Sequence, residues 1–216
     1  MANTATAYGL RPIGLIGSGA NSTGTTAYEI AATNTDAIYQ YGIVVPLAAG
    51  TIAFAGATDG GTTQALGVLM GVKYHDSVRK KPVHLNYWPG ANSVSVDTAY
   101  PVIAYVADNP NQLFKVATDA SYTNRATALA DIFANTTLGT SARTGSTSTG
   151  SSNSAASVSA AAGTATLPLR IVGILDDEDN SDYTAAGIPL IVRLNAHFNA
   201  PTSRFDSQTT PTSTGL

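Results

Sequence analysis

The sequence contains no cysteine. Disulfides, thiolate nucleophiles and cysteine-based zinc sites are thereby excluded. Charge is scarce as well: Asp, Glu, Lys and Arg make up 12% of the residues, about half the usual share. A net charge of -3 leaves no surplus of Lys and Arg to displace counterions, which argues against a sequence-independent grip on DNA or RNA. No apolar run approaches the roughly 18 residues of a membrane helix, so neither nucleic acid nor membrane is expected as a partner. The opening "MANTATAYGLRPIG" has no basic n-region and no apolar h-region, and does not read as a Sec signal. The expectation is a soluble chain made in a cytoplasm, whose 216 residues suit a single domain or a compact core with an embellishment.

What is present is short apolar segments rich in Val, Ile and Tyr, punctuated by Gly, Pro, Asn and Asp, the pattern of strands. "AIYQYGIVV" (37 to 45) places Tyr39, Tyr41, Ile43 and Val45 on one face. "PLIVRLNAHF" (189 to 198) alternates Leu190, Val192, Leu194, Ala196 and Phe198 with Ile191, Arg193, Asn195 and His197, a half-buried strand by period two. "LPLRIVGILDD" precedes it as a strand interrupted at Gly173. "ALGVLMGVKY" and "VHLNYW" read as two paired strands, with "HDSVRKKP" as the exposed, charged connection closed by Pro82. In the second strand Val83, Leu85 and Tyr87 take one face and His84, Asn86 and Trp88 the other.

A helical spacing of Ala126, Leu129, Ile132 and Phe133 predicts one short helix in "NRATALADIFAN" (124 to 135). Residues 136–166 are low-complexity Gly, Ser, Thr and Ala, read as an insertion that forms a mobile loop or a weak pair of small-residue strands. The expected organisation is an N-terminal arm or first strand over 1–25, a β-rich domain over 26–198, and an extended or disordered tail over 199–216. The predicted fold class is mainly β, a barrel or sandwich-like single domain.

Catalytic and metal motifs are weak throughout. "GANSTGTT" (19 to 26) has the glycine spacing of a phosphate-binding loop, but Thr25 stands where the essential Lys belongs. "DDEDNSD" (176 to 182) gathers five of the fourteen acids, yet a calcium loop starting at Asp177 would need Gly and Glu where Asp182 and Ile188 stand. His75, His84 and His197 have no partners at metal-ligand spacing. No G-x-S-x-G elbow is present. Neither an enzyme nor a metal or other cofactor is expected, because a site requires several convergent groups.

The order of the pieces is more informative. "AYGLRPIG", "LGVLMGVKYHD", "KKPVHLNYWPG" and "VRLNAHF" follow one another, and in this order the chain resembles a family of tailed-bacteriophage virion proteins. The resemblance runs from about Tyr8 to Phe198; the family often carries Cys where this chain has Val72. It implies a non-enzymatic capsid decoration (cement) protein of β-barrel type, located on the virion surface. Its partners would be the major capsid protein and further copies of itself, as a homotrimer at threefold positions. The alternative is a host-glycan-binding head fibre or tail accessory protein. The residues expected to carry the capsid or subunit contact are Tyr8, Leu10, Arg11 and Pro12 of the N-terminal segment, with Tyr87 and Trp88 at the hairpin end, since Arg and aromatic residues dominate interface hot spots.

Overall fold

The computed structural model describes residues 3–4, 6–17, 24–56, 64–139 and 144–200. Strand makes up 40% of it and helix 5%, in two antiparallel sheets, so the mainly β, sandwich-like reading holds. The glycine-spaced loop at 19 to 26 lies largely outside the described residues, as does the tail beyond residue 200.

Among the described residues the strands are, in chain order, β1 (Arg11–Leu15), β2 (Thr26–Ile30), β3 (Ile43–Pro46), β4 (Ile52–Phe54), β5 (Gly67–Asp76), β6 (Lys81–Leu85), β7 (Val102–Ala107), β8 (Gln112–Ala117), β9 (Asn135–Thr136), β10 (Leu169–Ile174) and β11 (Pro189–Leu194). One sheet has the order β1-β8-β11-β10-β9. The other runs β2-β7-β5-β3-β4, with β6 paired to β5. A bridge between Glu29 and Thr51 brings β2 beside β4, so the second sheet curls until its two ends meet.

That curl produces two apolar cores. Phe114, Val116, Ile171, Leu190 and Val192 of the first sheet meet Ile43, Val45 and Val68 of the second. Inside the curl lie Ile30, Val44, Leu69, Val72, Trp88 and Val106. β3 therefore buries consecutive residues: Ile43 and Val45 face the space between the sheets and Val44 the inside of the curl. β5 serves both cores through a bulge between Leu69 and Gly71. One extra residue reverses the parity, so that Leu69 before it and Val72 and Tyr74 after it all enter the same core.

Several expectations change at this level. The strand over 37 to 45 is realised only as β3; Ile38 and Gln40 make isolated bridges, and Tyr41 sits at φ 66°. The connection "HDSVRKKP" shrinks to residues 77–80, because Asp76 closes the turn by accepting the Val78 and Arg79 amides, both at 2.8 Å. The helix, α1 (Arg125–Ala130), is capped by Asn124, whose side chain accepts the Thr127 amide at 3.0 Å. Ala128 is its buried residue, while Leu129 and Phe133 point outward at 41% and 81% exposure. The helix ends earlier than their spacing predicted: Ile132 and Phe133 lie past Ala130, Phe133 at φ 74°, and share no helical face with Leu129.

Of the two forms expected for the small-residue segment, its described residues take the weakly paired one, with isolated bridges such as Gly145 to Ser152 and Leu138 to Ala156. Residues 150–157 form a strap against both sheets' neighbourhoods. The Gln40 amide donates to the Gly150 carbonyl and its carbonyl accepts the Ser152 amide; the Gly9 amide donates to Ser154, and Ala156 donates to Ala117 and accepts from Asp119. Ser152, Ser154 and Ala156 are fully buried. Small side chains here permit close backbone approach rather than mobility.

The acidic turn is also ordered. Glu178–Asn180 form a 3-10 turn capped by Asp177. Asn3 donates to the carbonyls of Asp182 and Ala186 and accepts the Asp182 amide, and the Thr4 amide donates to Asn180. The N-terminal segment is thus docked on its own chain and continues into β1, the first-strand alternative.

Candidate contact surface

β1 forms one edge of the first sheet. Pro12 has no amide hydrogen to offer and fits an edge position. The register slips between Pro12 and Gly14, and the buried Gln112 holds that bulge by donating to the Gly14 carbonyl at 2.7 Å. A proline and a bulge interrupt the outer ladder, so this edge is suited to contact by side chains rather than by an added strand.

The side chains at this edge are organised around Arg11. Its guanidinium lies 4.9 Å from the Tyr8 ring centroid and 5.2 Å from that of Tyr41. Lys115, the cross-strand partner of Arg11, has its ammonium 5.7 Å from the Tyr8 ring. Such cation–π contacts align a flat guanidinium without consuming its hydrogen-bond donors. Burial pushes the Tyr8 hydroxyl up to about 12; Arg11 acts against that shift and Asp177 with it. Tyr8 therefore remains a neutral phenol at any physiological pH.

Tyr41 reaches this position through a costly backbone state. At φ 66° it occupies the left-handed region, which costs a side-chain-bearing residue on the order of 1 kcal/mol. The surroundings hold it there: its amide donates to Leu69 and its carbonyl accepts from Leu10, both at 2.8 Å. Gly9 is required beside it, because a Cβ at Gly9 would stand 2.6 Å from the Tyr41 carbonyl oxygen. Next to this stack opens a groove of about 370 Å3, with Arg11, Pro12, Tyr41 and Met70 in its walls.

The structure thus brings Tyr8, Arg11 and Pro12 together and adds Tyr41, which its place in the apparent strand "AIYQYGIVV" concealed. It separates the other three. Leu10 and Trp88 are both 0% exposed and cannot contact a partner. Leu10 belongs to the core between the sheets. Trp88 fills the curl, with its indole N–H donating to the Asn34 carbonyl at 3.1 Å and its ring edge-on to Tyr74. The chain bends after β6 ends at Leu85, so the alternation that put Trp88 with His84 does not continue. Tyr87 is half-buried and stacks on Tyr39 at 5.6 Å, away from the Arg11 groove.

The histidines are dispersed. His75 stacks on Tyr100 at 4.1 Å, His84 is exposed on β6, and His197 is buried, against its assignment to the polar face of a strand. Among the described residues no group of three or more His, Asp or Glu side chains is placed to hold a metal ion, and no helix is long and apolar enough to cross a membrane. No known protein family, curated protein or solved structure matches the chain.

Proposed function

We propose that this chain is a non-enzymatic virion structural protein, a capsid decoration (cement) protein that binds the major capsid protein on the outer surface of a phage head. The observation that carries the reading is the Arg11 guanidinium stacked between Tyr8 and Tyr41 at the mouth of a groove on an open sheet edge. A preorganised Arg flanked by aromatic rings is the composition of an interface hot spot. The groove supplies the apolar rim and Arg11 a bidentate partner for a carboxylate of the capsid surface. The resemblance of the motif order to virion proteins supplies the partner. Many copies on a repeating lattice convert modest individual affinity into durable attachment.

A second reading, a host-glycan-binding head fibre or tail accessory protein, is favoured by Tyr100. Its ring is 49% exposed and rests on His75, a flat aromatic platform. Mixing purified protein with undecorated heads separates the two. Cosedimentation, with a gain in the heads' heat resistance, is expected, and Arg11→Ala should weaken binding at least about tenfold while leaving the melting transition in place. Absence of cosedimentation sinks the capsid reading; binding to a glycan array in its place selects the second.

A further inference from the structure

The outward face of the first sheet is basic in an acidic protein. Lys115 alternates with the buried Phe114 and Val116, Arg193 with Val192 and Leu194, and Arg170 with Leu169 and Ile171. With Arg11 at the edge, the five strands of this sheet carry four cations and no Asp or Glu. Arg170 and Arg193 are direct cross-strand partners, an arrangement of like charges that is unfavourable in the free chain. Asn135 accepts from the Arg170 Nε at 3.0 Å, whereas the Arg193 Nε is buried without a hydrogen-bond partner among the described residues. The ion pairs found among the described residues, Arg79–Asp76 and Lys80–Asp97, both lie at the β5–β6 turn. Between the cations stand partly exposed Leu113, Val172 and Ile191. That mixture suits a protein surface better than a polyanion.

The same chain carries a matching knob. In the turn between β10 and β11, Asp177 and Asp182 are engaged in capping, but Asp176, Glu178 and Asp179 are exposed. Asn3 and Thr4 brace the turn, so these carboxylates are presented on a rigid support.

We infer that copies of this chain associate by seating the acidic 176–179 turn of one copy on the Arg170–Arg193 face of the next. A carboxylate between the two guanidiniums relieves their repulsion. The contact is formed in solution and does not rest on the capsid reading, so its assay contains no heads.

The test is sedimentation of the full chain at low and high salt, with Arg170→Glu/Arg193→Glu and Glu178→Lys/Asp179→Lys as separate double variants. Expected are a salt-sensitive oligomer, dissociation constants raised at least about tenfold in either variant, and oligomers restored when the two variants are mixed. Far-ultraviolet spectra check that each variant is folded, and the exposed turn variant keeps the test open if the arginine variant is not. A monomer at low salt overturns the inference, as does an oligomer indifferent to both variants. Loss in the arginine variant alone also overturns it, because the face would then hold something other than the turn.

Discussion

Acidifying the protein from pH 7 to pH 4 should remove about 3 kcal/mol of stability through His197 alone. The ring is 4% exposed. Its Nδ1 accepts the Asn199 amide at 3.0 Å, so the proton of the neutral ring sits on Nε2, which is buried without a partner among the described residues. A second proton would have to occupy Nδ1 and expel the Asn199 amide. Burial accordingly holds the imidazole down at about 4, against 6.5 when unperturbed, with Asp108 acting weakly in the other direction. The unfolded chain takes up its proton near 6.5 while the native chain refuses it until about 4. Stability is therefore full above the unfolded value and falls with pH through that window, by about 1.4 kcal/mol per unit.

The site is well placed to matter, because the Ala65 and Phe198 amides donate to Ala196 and Ala65 on either side of it, joining the chain's last described segment to the strand region before β5. A loss of about 3 kcal/mol corresponds to a melting point lower by roughly 6–12 °C in a protein of this size. Melting curves at half-unit pH steps measure it, in the native chain and in His197→Asn, whose side-chain oxygen can still accept the Asn199 amide. The variant should show a flat profile from pH 6.5 to 4. Both proteins should then weaken below about pH 4, where Asp76, held low by the Arg79 amide, and Asp182, held low by the Thr184 hydroxyl, become protonated. An equal slope in the variant between pH 6.5 and 4 would refute the reasoning.

Two further outcomes follow from packing. Gly150→Ala should lower stability by about 2–4 kcal/mol in denaturant titration, since the position has φ 72° and a Cβ there would stand 2.5–2.6 Å from the Asn86 amide and the Tyr87 ring; a neutral result would show that the strap is loose. Trp88→Ala should cost about 3–5 kcal/mol through the cavity it leaves, and the native chain, whose one tryptophan is fully buried, should fluoresce at short wavelength until it unfolds. A red-shifted native emission would place Trp88 at the surface after all.

Local chemistry determined much of this protein. Period two in "PLIVRLNAHF" became β11 with Leu190, Val192 and Leu194 inward, although the strand stops at Leu194 and not at Phe198; the two runs around "HDSVRKKP" became the β5–β6 hairpin; and the interruption at Gly173 became a register shift. Each of these depends on neighbours in sequence and on one buried face, which alternation reports directly.

The tertiary structure decided where a residue's environment comes from distant chain. β3 lies between two cores, so its alternation vanishes. Trp88 is drawn inward by Tyr74 and Asn34 although the preceding strand pattern points it outward. Ser152, Ser154 and Ala156 carry the composition of a linker, yet only residues that small fit where the strap passes the backbone of Gln40, Gly9 and Ala117. Of the residues gathered around Arg11, Tyr8 and Pro12 were legible because they are its neighbours in sequence. Tyr41 was hidden because its direction is set by a left-handed backbone imposed by Leu10 and Leu69. The opposition of Arg170 to Arg193 exists only once the β10–β11 register is set. Composition and periodicity encode how much of a segment is buried and on which side; which charges end up face to face depends on strand order and register, and those are fixed by packing across the whole chain.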